Sequence, residues 1–209
     1  MSSPKIVLYT NHLCPWAHRA HIALKEIGLE YEEVIIDLNT PREPCPIPRR
    51  RAPNSSPPPS TSTENALYRA RVSFLVDAFI SKVLPSFFAS IRAADETERD
   101  AAAEQLVAAV AKEVEPLLAD TEGKGPFFGG SEKLTLAEVQ TGSFLIRILS
   151  FAKPEHGLAS AKLSTLLERT PRFKRWAEAT AAHESVRFIY DEKLVADKMR
   201  ARFAPAVKV

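Results

Sequence analysis

The stretch Lys5–Leu38, KIVLYTNHLCPWAHRAHIALKEIGLEYEEVIIDL, decides the fold. Lys5-Ile6-Val7-Leu8-Tyr9 is a short apolar run with β-branched residues and reads as a buried strand. After the loop Thr10 to Leu13, Pro15 opens a helix, because proline is well placed at the first helical position, where its missing N–H costs no hydrogen bond. Ala20, Ala23, Leu24 and Ile27 recur on one face at helical spacing. Gly28 stands where a helix C-cap glycine is expected. Tyr31 to Leu38 alternates and reads as a second strand. Strands joined by a short crossover helix pair in parallel.

The pattern then fails. Pro41 to Thr63 holds eight prolines and four arginines in 23 residues. Proline lacks the donor that a central strand needs, and Pro57-Pro58-Pro59 favours extended polyproline II. Arg49-Arg50-Arg51 reads as a solvated loop. Neither strand nor helix is assigned here.

Helical periodicity returns at Glu64, with Thr61 and Glu64 at capping-box spacing. This helix is expected to run to about Val83, with Pro85 as a break or kink. A second long helix is expected over about Glu96 to Leu118. Thr135-Leu136-Ala137-Glu138 is a further capping box, with Leu134 and Val139 as its hydrophobic staple. The helix it starts, through Phe144, Leu145 and Ile148, is apolar nearly all round and is expected to be central and buried. Helical segments near Ala161 to Leu167 and from Pro171 to about His183 follow, then a basic, helix-prone tail.

Cys14-Pro15-Trp16-Ala17 is the candidate chemical centre. Unpaired backbone donors at a helix N-terminus carry roughly half a positive charge. They favour a thiolate, which is the nucleophilic form of cysteine. Arg19 could add to this field, and so could His18 when protonated. Ala17 occupies the position of the second cysteine in a Cys-x-x-Cys motif, so the site has one thiol and needs an outside thiol to resolve a mixed disulfide. Trp16 has two readings: it lines a pocket beside the thiol, or it packs against the second domain. Cys45, between two prolines, lacks a helix to activate it and is treated as incidental. His12, His18 and His21 are close in sequence, but no second ligand cluster completes a site, so no metal is expected.

Composition sets the wider frame. The chain has 209 residues, 45% hydrophobic and 26% charged, with a net charge of +2. That balance argues for neither a nucleic-acid nor a membrane surface. No run of about 18 apolar residues is found, so no transmembrane helix is expected. Two cysteines and no signal-peptide pattern at the N-terminus point to a reducing, cytoplasmic compartment.

Leu13-Cys14-Pro15-Trp16-Ala17-His18-Arg19 resembles the active-site start of omega-like glutathione transferases, particularly fungal ones. Ala66 to Val72 with Phe74-Leu75-Val76-Asp77 looks like that family's first helix of the C-terminal domain. Leu134 to Val139 looks like its capping box and staple, with Glu138 where Asp is usual. Pro171 to Trp176 resembles a further family helix. The match covers about residues 4–44 and 62–200.

The resemblance implies an α/β plus all-α fold: a thioredoxin-like N-terminal domain, apparently truncated, and a glutathione-transferase-type helical domain. The expected boundaries are 1–40 for the thioredoxin-like part, 41–63 for the proline-rich segment and 64–209 for the helices. It implies glutathione as co-substrate, a small electrophilic or disulfide partner substrate and a homodimer. Cys14 would be the catalytic nucleophile forming a glutathionyl mixed disulfide, Trp16 and Arg19 would bind glutathione, and Tyr68, Arg71 and Phe74 would line the second-substrate pocket. The segment 41–63 departs from the family pattern. Ile47-Pro48 could stand for the proline pair that holds glutathione, but Arg49-Arg50-Arg51 follows instead of a strand. Thr63-Glu64 is a poor substitute for the family's Glu-Ser pair. A deletion, a splice variant or a misjoined coding sequence would each produce this. The alternative function is therefore a catalytically impaired binding or regulatory protein on the same scaffold.

Overall fold

A computed structural model describes residues 6–38, 63–121 and 125–203. Cys45, Ile47-Pro48, Arg49–Arg51, Pro57–Pro59 and the Thr61–Glu64 capping box involve residues or side chains outside that description.

The chain opens with strand β1 (Val7–Thr10), helix α1 (Pro15–Glu26) and strand β2 (Glu32–Ile35). The strands pair in parallel, Val7 opposite Glu32 and Thr10 opposite Ile35, as the crossover helix requires. Gly28 ends α1 as expected. Its φ of 67° lets Leu29 N–H reach the Leu24 carbonyl and Gly28 N–H reach that of Lys25, the two bonds of a Schellman cap.

The rest is helical: α2 (Thr63–Ala78), α3 (Leu84–Arg92), α4 (Glu96–Ala109), α5 (Leu136–Phe151), α6 (Leu163–Leu166), α7 (Pro171–Ala182), α8 (Glu184–Arg187) and α9 (Glu192–Phe203). The sequence places a break or kink at Pro85; the helix continues, with a local change of winding. A π-helical turn, Phe79–Val83, joins α2 to α3, and Leu84 N–H reaches back five residues to the Phe79 carbonyl. Proline clashes with the carbonyl four residues before it, and a wider turn relieves that clash. The same device recurs before Pro116. There a π turn, Val110–Val114, follows α4, and Glu115 N–H reaches the Val110 carbonyl. A 3-10 segment, Glu115–Thr121, then completes the expected second long helix.

The uninterrupted run Ala66–Arg92 has 27 residues and is, by length and composition, long and apolar enough to cross a membrane. This differs from the sequence expectation of no helix suited to crossing a membrane, which rested on the lack of an unbroken apolar run. Its residues Val72, Leu75, Phe79, Val83, Leu84, Phe87 and Ile91 lie in the main core of the helical domain.

Helix α5 is the central helix. All but a few of its residues are buried, as its all-round apolar character requires. Phe144, Leu145, Ile148 and Phe151 enter the main core with Phe173 and Trp176 of α7. Ile22 of α1 joins Val139 and Ile146 of α5 and Val186 of α8 in a second cluster, which seats the β/α part on the helices.

Candidate active site

Cys14 is the N-cap of α1, with extended backbone (φ −82°, ψ 116°) and Pro15 directly after it. Asn11 shapes the loop that presents it. The Asn11 carbonyl accepts Cys14 N–H at 3.0 Å, its side-chain oxygen accepts Leu13 N–H at 2.9 Å, and its side-chain amide donates to the Ile36 carbonyl beyond β2 at 2.8 Å. Cys14 is a free, half-buried thiol, and its sulfur makes no capping hydrogen bond to the helix. Its Sγ is therefore uncommitted at the start of a helix.

Behind this loop lies Arg147 of α5, buried to 1% exposure. One terminal nitrogen donates to the Ser143 carbonyl at 2.7 Å and to His18 Nδ1 at 3.2 Å. The other donates to the carbonyls of His12 and Leu13 at 3.3 and 3.4 Å. The guanidinium also lies 5.0 Å from the Tyr190 ring centroid. A buried charge must be met by hydrogen bonds, and here the cysteine loop supplies two of them. Burial pulls the Arg147 pKa down to about 10, while Tyr190 and Cys14 oppose that shift. At neutral pH the Arg147 side chain stays cationic behind the Cys14 loop.

His18 does not play the part the sequence allowed it. Burial, then the Arg147 charge, lowers its pKa to about 3. It stays neutral near pH 7, accepts the guanidinium N–H on Nδ1 and adds no positive charge to the thiol. Arg147 supplies the buried cation instead. The sequence signal for it was a lone arginine inside the apolar stretch Ser143–Phe151.

Trp16 and Arg19 sit together at the domain junction. The Trp16 ring stands edge-on to Phe144 of α5 at 4.8 Å yet remains 43% exposed. That geometry matches packing against the second domain and leaves part of the indole open to solvent. Arg19 stacks over Trp16 at 4.6 Å and donates to Gln140 Oε1 of α5 at 2.6 Å. Burial lowers its pKa, against the opposing influence of Cys14.

Arg71 and Phe74 share a cavity of about 430 Å³ with Ala70, Pro116, Leu117 and Phe128. Tyr68 lies beside it, with its ring 6.1 Å from that of Phe128. Among the described lining residues none comes from the Cys14 loop, so the thiol and this cavity form two neighbourhoods.

The structure also brings Glu33 of β2 to His12 and His21. The three histidines therefore separate: His12 and His21 meet a carboxylate, and His18 faces Arg147. No sequence spacing links Glu33 to that pair, because only strand pairing sets it there.

Residues 13–59 match the family model described as the glutathione S-transferase N-terminal domain. No curated protein matches the chain. Among solved structures, it is similar to glutathione transferase Omega 2C from Trametes versicolor, at 23% identity over 97% of this chain and 100% of that chain, with a TM-score of 0.69. Omega 1C from the same organism gives 24% identity over 97% and 98%, with a TM-score of 0.64. Rice GST1, solved in complex with glutathione, gives 19% over 97% and 98%, with a TM-score of 0.68. The fold is thus that of the glutathione transferases: a small thioredoxin-like β/α part followed by a helical domain.

Proposed function

We propose that this chain is a cysteine-type glutathione-dependent thiol transferase of the glutathione transferase family, omega-like in its chemistry. The observation that carries the reading is Cys14: a half-buried, uncommitted thiol at the N-cap of α1, backed by the buried cation of Arg147. The Cys14 thiolate attacks the glutathione sulfur of a glutathionylated disulfide, forming a Cys14–glutathione disulfide and expelling the substrate thiolate. A second glutathione, as thiolate, attacks that disulfide, leaving oxidised glutathione and free Cys14. With no second cysteine at Ala17, the outside thiol is required. Trp16, partly open to solvent, supplies an apolar wall for glutathione, and Arg19 holds that wall in place. The cavity at Arg71 and Phe74 has the size of a small-molecule site and is assigned to the part of the second substrate remote from its reacting sulfur, which must reach Cys14 outside it. The boundaries given above, a homodimer and a cytoplasmic location complete the proposal.

The test is glutathione-dependent reduction of a glutathionylated disulfide by the wild type and by Cys14→Ser. Turnover in the variant is expected to fall to background. Unchanged turnover would overturn the reading. A wild-type chain that is retained on immobilised glutathione but turns nothing over would move the assignment to a binding protein.

A further inference from the structure

His12, His21 and Glu33 come from three different elements: the loop before α1, the middle of α1, and β2. Glu33 Oε2 lies 2.6 Å from His12 Nε2, and Glu33 Oε1 lies 3.7 Å from His21 Nδ1. One ligand atom from each residue falls within 4.8 Å of the others. A tetrahedral zinc ion with bonds of about 2.0–2.2 Å needs its ligand atoms about 3.3 Å apart. The two measured separations, one to each oxygen of the Glu33 carboxylate, lie below and above that value, so the carboxylate would have to turn slightly to offer one oxygen to both imidazoles. The shorter is a hydrogen bond, whose shared proton a metal ion would replace.

The set is also orientated as a ligand set. His21 is fully buried, so its ring cannot swing away. Its Nε2 lies 2.7 Å from Thr10 Oγ1. With its proton there, donated to Thr10, His21 carries a lone pair on Nδ1, which faces Tyr31 Oη at 2.8 Å and Glu33 Oε1 at 3.7 Å. That is the arrangement in which an outer partner fixes the tautomer of a metal-binding histidine. Tyr31 Oη, 2.8 Å from His21 Nδ1, would give up that contact to the ion. His12 and Glu33 are partly exposed and provide the entrance.

We propose that His12 Nε2, His21 Nδ1 and a Glu33 carboxylate oxygen form a binding site for a zinc-like divalent ion, with water in the fourth position. Two imidazoles and one carboxylate are borderline donors, which suit zinc, cobalt or nickel better than calcium or magnesium. The ion would tie the loop that carries Cys14 to β2, since His12 lies two residues before the thiol.

The test is titration of the metal-free full chain with zinc in competition with a chromophoric chelator. One bound ion per chain at micromolar affinity or tighter is expected. His12→Ala and Glu33→Gln should each weaken it at least about tenfold, with circular dichroism confirming that both variants are folded. Cys14→Ser and His156→Ala should leave it unchanged; the second removes the other His-carboxylate group, Glu155-His156-Glu192. Absence of binding at micromolar zinc, binding that survives both His12→Ala and Glu33→Gln, or binding lost in Cys14→Ser would each overturn the proposal.

Discussion

Arg147 carries a cation into the middle of the most buried helix, and nearly all its hydrogen bonds reach elements outside that helix or its preceding turn. It spans from the Ser143 carbonyl to His18 and to the carbonyls of His12 and Leu13. We expect it to position the loop that presents Cys14 and to supply positive potential to the sulfur. Arg147→Met removes the charge and all of these donors. The expected result is alkylation of Cys14 about tenfold slower than wild type at pH 7, equal to about 1.4 kcal/mol. A rate equal to that of the wild type would show that Arg147 neither positions the loop nor acts on the sulfur. The anomaly of one arginine among Phe144, Leu145, Ile146 and Ile148 was legible in the sequence. Its partners, which follow from how α5 meets α1, were not.

At the scale of elements, the start of α5 is legible in sequence because its partners lie within one turn. Thr135 and Glu138 form the expected capping box: Thr135 Oγ1 accepts Ala137 N–H at 3.1 Å, and Glu138 Oε2 accepts Thr135 N–H at 2.7 Å. What the motif did not show is the other carboxylate oxygen. Glu138 Oε1 accepts from Phe128 N–H at 2.8 Å and from the Trp176 indole at 2.6 Å. With Thr135 Oγ1–H donating to Oε2 at 2.6 Å, the buried carboxylate is met by four donors, and the cap of α5 is also the junction of the chain at Phe128 with α7. Glu138→Gln sets an amide NH₂ against these donors. It is expected to lower unfolding free energy by about 2–3 kcal/mol in urea titration followed by Trp176 fluorescence, whereas Thr135→Ala should cost only about 1 kcal/mol. Equal effects would show that the tertiary bonds of Glu138 add nothing to the cap. Helix α7 makes the same point, since its first-turn N–H groups at Arg172 and Phe173 are capped by Glu115, a residue nearly sixty positions earlier.

For the whole molecule, the junction between the β/α part and the helices is the acid-sensitive surface. His18 and His21 are fully buried on α1, and both have pKa values depressed by burial first. In the unfolded chain they take up protons at about pH 6.5. As pH falls below that value the unfolded state gains protons that the native state does not, so the stability they contribute is present above pH 6.5 and is lost on acidification, for His18 down to about pH 3. Stability is expected to be flat from pH 8 to 7 and then to decline by up to about 1.4 kcal/mol per pH unit for each histidine. Urea midpoints at each pH measure this. His18→Asn, which keeps an acceptor for Arg147, should make the decline shallower; an unaltered slope would place the acid sensitivity elsewhere.

The sequence by itself determined the strand–helix–strand opening, its parallel pairing, the glycine end of α1, a thiol at a helix start and the capped central helix. Each depends on backbone preference, hydrophobic period or a partner within about one helical turn, and those are written in consecutive residues. Only packing decides that Arg147 rather than His18 stands behind Cys14 and that His12 and His21 share Glu33. These contacts join groups 12 to 135 positions apart. Their geometry follows from how helices and strands pack, and no local spacing encodes it.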